Sequence, residues 1–122
     1  MLIAFWIVGG LVALAFLAAG LMKLVRPKAA LADSGMAWTE DFAEPTVKLI
    51  GAAEVLGAIG IVLPALTGIA PILSPIAASA LVLVMVGAAV VHVRRSENPT
   101  PSLVLLVLAA TTAVLGFAAL LG

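Results

Sequence analysis

A bundle of four transmembrane helices, all-α, is the fold class this sequence predicts, and three observations predict it. Of the 122 residues, 65% are hydrophobic and only 10% charged, where a soluble domain has about half and a quarter. The apolar residues gather into stretches of about 20, the number that crosses a bilayer's hydrocarbon at roughly 1.5 Å per residue. All six Lys and Arg residues flank alternate connections between those stretches. A soluble chain this short has no core able to hide so much apolar surface. One integral membrane domain over residues 1–122 is therefore expected.

The first span is predicted at about 2–23. Residues 1–22 carry no charge, and the run ends at Lys23, Arg26 and Pro27. It lacks a positive n-region and exceeds the usual length of a signal peptide's apolar stretch, so it reads as a retained span. A longer loop follows, from Arg26 to Pro45. Gly35 interrupts any continuous helix there, and Trp38 and Phe42 suit the membrane interface, where amphipathic rings settle. Thr39, followed by Glu40 and Asp41, reads as an N-cap with acids in the first turn. The segment is expected to lie as a re-entry turn on the membrane surface, or alternatively as a flap over a site.

Residues 49–91 are apolar apart from Glu54 and the interruption LPALTGIAPILSP. Pro64, Gly68, Pro71 and Pro75 break helices there by removing donors and freeing the backbone. Two spans result, at about 46–65 and 74–93. The fourth, at about 101–121, starts at Pro99 and Pro101, which suit a helix beginning. Lysine and arginine in short loops mark the cytoplasmic side. Lys23, Arg26, Lys28 and Lys48 flank the first loop, Arg94 and Arg95 the third, and the second loop and termini have none. Loops one and three are therefore expected in the cytoplasm of a plasma-membrane protein, with both termini outside.

Several function classes are unsupported by this composition. Net charge is zero, with no basic run, so no nucleic-acid partner is expected. There is no cysteine and one histidine, which leaves no thiol redox pair, no bis-histidine haem site and no metal cluster. Phosphate-binding loops, dinucleotide fingerprints and nucleophile elbows are missing. Ser74, Ser79 and Ser102 have no evident base near them, and Thr111 and Thr112 are expected to bond back to their own helix.

Three ionisable groups remain within or at the edge of the spans: Lys23, Glu54 and His92. Charge in hydrocarbon is costly, so such groups usually face a bundle interior and pair there. Their neighbours at i±3 and i±4 are small: Ala19 and Gly20; Gly51, Gly57 and Ala58; Ala88 and Ala89. Small faces let transmembrane helices approach closely. The three groups are expected to meet in the cytoplasmic half. Each has a plainer use: Lys23 as a positive-inside anchor, His92 as an interfacial residue, Glu54 as a buried bond locking helix packing.

GLMKLVRP at 20–27, MAWTEDFAEPTVKLIGAAEVLGAIGIVLP at 36–64 and VVHVRR at 90–95 together resemble the DoxX-like membrane proteins. The matching positions are Gly20 and Lys23, then Lys48, Gly51, Glu54 and Gly57, then His92. The resemblance implies a four-helix bundle in a membrane redox setting, since the family takes its name from a quinone-linked oxidoreductase subunit. On that expectation Glu54, His92 and Lys23 form a polar pocket for proton transfer, and Gly20, Gly51, Gly57 and Trp38 border a ligand. No cofactor motif is evident, and a quinone is the molecule implied. The expected partners are the lipid bilayer and a second copy or another membrane subunit. Two other functions fit the same residues: a non-enzymatic packing or assembly subunit, and a small-molecule carrier or isomerase.

Overall fold

The computed structural model describes residues 1–121, so the last residue of the expected 1–122 domain lies outside the described residues. Helices α1 (Leu2–Val25), α2 (Lys28–Asp33), α3 (Glu44–Thr67), α4 (Leu73–Arg94) and α5 (Thr100–Leu121) follow in order, with a 3-10 turn at Ala37–Asp41 after α2. Four of them, α1, α3, α4 and α5, are long and apolar enough to cross a membrane. At 22 to 24 residues each, they run about 33–36 Å, enough for a hydrocarbon core of about 30 Å.

The helix ends differ slightly from the predicted spans, for local reasons. Helix α3 starts at Glu44, with Pro45 in its first turn, where a missing N–H is unneeded. It then continues through Pro64 to Thr67, because a proline within a turn of the end disrupts little that follows. Gly68, at φ +71°, closes it by donating its N–H to Pro64 O. Helix α4 similarly takes Pro75 into its first turn. Asn98 Oδ1 accepts the Thr100 N–H where α5 begins.

The Thr39 expectation is corrected. Thr39 lies inside the 3-10 turn, fully buried, and its hydroxyl donates back to Met36 O. No side chain caps α3, whose N-cap is Ala43. A hydroxyl followed by two acids has the composition of a cap, but here the backbone closes 3-10 bonds first, Thr39 N–H to Met36 O and Phe42 N–H to Thr39 O.

The spanning helices form a ring in which α1 packs on α3 and α5, and α4 packs on the same two. One end of the bundle is filled. Phe5, Val12 and Phe16 of α1 meet Ala58 and Ile61 of α3, Ala78 and Leu81 of α4, and Ala109 and Ala113 of α5. Ser74 fastens that end by donating from α4 to Ile61 O of α3, 2.6 Å away. Thr111 and Thr112 bond back to Val107 O and Leu108 O, so their hydroxyls are satisfied inside α5. Leu11, Leu14, Leu49, Leu56 and Leu83 stand exposed on the outer faces, which is what a surface solvated by lipid tails requires.

Candidate functional site

At the other end, α1 and α3 cross at two glycines. A Cβ on Gly20 would stand 2.7 Å from Gly51 O, and one on Gly51 would stand 2.7 Å from Lys23 Cβ. Only hydrogen fits at this crossing. The close approach sets Lys23, near the end of α1, beside Glu54 of α3: Nζ donates to Oε1 at 2.5 Å. Both are buried, Glu54 2% and Lys23 6% exposed. A carboxylate and an ammonium taken out of water are tolerable only when paired in this way.

The turn of backbone that carries Lys23 is held as well. Lys48, in the first turns of α3, donates to Lys23 O at 2.8 Å and to Arg26 O at 2.7 Å. These carbonyls have no partner within α1, because a helix leaves its last four unmatched. The ammonium also suits the negative end of the helix dipole.

Lys23 and Glu54 line a cavity of about 720 Å³ at this end of the bundle. That size is typical of small-molecule sites, which are mostly apolar with a few convergent polar groups. Ile50, Val84, Met85 and Leu105 supply apolar wall. Leu83 and Gly87 of α4 also line it and are exposed on the outer side, Leu83 at 73%. The cavity thus reaches the lipid-facing surface. Over it lies the 3-10 turn, which with its flanking residues contributes Met36, Trp38 and Phe42. Trp38 and Phe42 meet edge to face at 5.7 Å, and the Trp38 ring lies 5.8 Å from Lys23 Nζ, within reach of a cation–π attraction.

His92, in the last turn of α4, lines the same cavity but is bonded elsewhere. Its Nδ1 lies 3.0 Å from Glu97 Oε1, in the connection to α5. An ionised carboxylate only accepts, so Nδ1–H is the donor and Nε2 is left for other contacts. Arg95 donates to the second Glu97 oxygen at 3.2 Å and pairs with Asp41 of the 3-10 turn at 2.6 Å. The His92 hydrogen bond first, and Arg95 after it, hold the Glu97 carboxyl below the ordinary carboxylate range.

The sequence-predicted residues therefore divide. Lys23, Glu54, His92 and Trp38 border one cavity, with Lys23 and Glu54 in direct contact. His92 takes Glu97 as its partner in place of Glu54. Gly20, Gly51 and Gly57 stand at helix crossings and are not among the lining residues; a Cβ on Gly57 would press on Leu81 of α4 at 2.6 Å. Sequence reasoning passed over Met36, Glu97 and Ser102 as wall residues. No group of three metal-ligating side chains gathers among the described residues.

A family model described as the DoxX-like family matches residues 7–119 of the chain. No curated protein and no solved structure matches it.

Proposed function

This chain belongs to the DoxX-like family, and from that premise we propose that it is a small membrane subunit whose cavity receives a quinone headgroup in a membrane redox system. The observation that carries the reading is a buried ion pair, Lys23–Glu54, on the wall of a largely apolar cavity that reaches the lipid-facing side at Leu83 and Gly87. A ligand for such a space must dissolve in the bilayer, present a hydrogen-bond acceptor and carry a flat ring. A quinone does all three. Its carbonyl oxygen would accept from Lys23 Nζ, its ring would lie against Trp38 and Phe42, and Glu54 and His92 would hold or release the accompanying protons. Electrons would come from a partner subunit, since this chain has no cysteine. The residue 26–43 and 95–99 connections would face the cytoplasm, because they carry or adjoin all six Lys and Arg residues.

The test is retention and titration. Protein purified in mild detergent is extracted and chromatographed for quinones, then titrated with a short-tailed quinone while Trp38 fluorescence is followed in a Trp6→Phe background. Saturable quenching is expected, weakened at least about tenfold by Lys23→Met, the loss of one charge-assisted hydrogen bond. Absence of any retained quinone together with unsaturable quenching rules the reading out.

A second reading, a packing or assembly subunit, draws on the fact that Lys23 and Glu54 already satisfy each other. It requires that Glu54→Gln dissociate a co-purifying complex while quinone binding is absent from the parent protein too.

A further inference from the structure

We infer that the 3-10 turn, with its flanking residues Met36 and Phe42, is a liftable lid on the water-facing mouth of the cavity, and that the Asp41–Arg95 ion pair is its latch. The cavity has two boundaries of different kinds. Toward lipid it is bordered by α4, at Leu83 and Gly87. Toward the connections it is covered by Met36, Trp38 and Phe42.

The bonding of the cover is one-sided. Among the described residues, the hydrogen bonds of residues 36–42 stay within the connection itself, apart from the Asp41–Arg95 pair. Met36 N–H donates to Leu31 O, Thr39 N–H and hydroxyl to Met36 O, Phe42 N–H to Thr39 O, and Lys28 Nζ to Phe42 O. Two polar contacts leave it. One is the Trp38 ring 5.8 Å from Lys23 Nζ, and the other is Asp41 Oδ2 on Arg95 Nη1 at 2.6 Å. Lifting the cover therefore breaks no hydrogen bond to a spanning helix apart from that ion pair at the end of α4. Extended backbone at Pro27 on one side and at Phe42 and Ala43 on the other supplies the pivots.

The latch is built to release. Asp41 is half exposed, and exposed ion pairs hold weakly. Arg95 stays in place when Asp41 leaves, because Glu97 accepts from its Nε, and His92 in turn holds Glu97. The anchored half of the latch thus belongs to the bundle and the mobile half to the lid. A lid of this kind admits water and polar reagents only when raised, whatever ligand the cavity takes.

Because the chain contains no cysteine, Ser102→Cys places a single thiol on the cavity wall. Its modification by a charged, water-soluble thiol reagent is timed in the purified protein, alone and combined with Asp41→Asn, Asp41→Glu or Arg95→Gln. Labelling is expected to quicken about two- to fivefold in Asp41→Asn and in Arg95→Gln, the range an exposed ion pair spans, and to stay at the parental rate in Asp41→Glu. Equal rates in all four proteins overturn the latch, as does an acceleration by Arg95→Gln alone. No ligand enters this measurement, so a failed quinone titration beside faster labelling defeats the quinone reading and leaves the lid standing.

Discussion

Glu54 and Lys23 show how far a residue's surroundings in sequence reveal its place. A carboxylate inside an apolar run has to face inward, and the glycines at i±3 mark the inward face, so the direction of Glu54 was legible. Its cation was one of two candidates, Lys23 and His92, of which Lys23 meets it. The pair should behave as a unit. Lys23→Met leaves Glu54 buried without a partner and is expected to cost about 3–5 kcal/mol. Lys23→Met with Glu54→Gln should recover a large part of that, giving clear non-additivity in a double-mutant cycle read by denaturation in detergent micelles. Simple additivity would mean that the two side chains do not interact. The partner of His92 was not legible. Ser96 adopts φ +58°, and the turn brings Glu97 back over the last turn of α4, its N–H on His92 O at 2.8 Å. A serine gives no sign of a left-handed backbone, which is a glycine or asparagine habit. Trp38 was ambiguous for another reason: an indole suits the headgroup layer and a cavity wall equally well.

At the level of elements, length and hydropathy were enough for all four spans, because crossing hydrocarbon leaves the backbone no alternative to the helix. Helix ends at prolines were read less well, since a proline near a terminus is absorbed where one in mid-helix would break the run. The crossing of α1 and α3 depends on Gly20 and Gly51, and the glycines separate into two kinds. Gly51→Ala would set a Cβ 2.8 Å from Gly20 O and 2.7 Å from Lys23 Cβ, and is expected to destabilise by about 1–3 kcal/mol. A Cβ on Gly10, in the same bundle, would meet nothing within 4 Å, so Gly10→Ala is expected to be neutral or to add up to about 1 kcal/mol. Comparing the two melting midpoints checks this, and equal effects would remove the special status of the crossing. The connection between α1 and α3 was the least legible element. Its fold is set by short-range backbone bonds and by Arg95 far along the chain, neither of which leaves a periodic pattern.

For the whole molecule, an even number of candidate spans leads to the expectation that the termini share one side of the membrane and the two charged connections the other. Which side is which rests on the lysine and arginine distribution, and it is testable in cells. With single cysteines, an impermeant reagent applied to intact cells should label Ile69→Cys in the connection between α3 and α4, and should reach Ser34→Cys only after lysis. The reverse pattern would invert the orientation. The bundle is also uneven along its axis. Phe5, Phe16, Ile61, Ala78 and Ala113 fill one end and Ser74 clips α4 to α3 there, while the other end encloses the cavity. Apolar side chains join the helices at the filled end, whereas beside the cavity the Gly20–Gly51 crossing and the Lys23–Glu54 pair hold α1 to α3. The ion pair that joins α1 to α3 is also cavity wall, so a molecule entering the proposed site would meet a contact that keeps two helices together, and occupancy and stability would be coupled there.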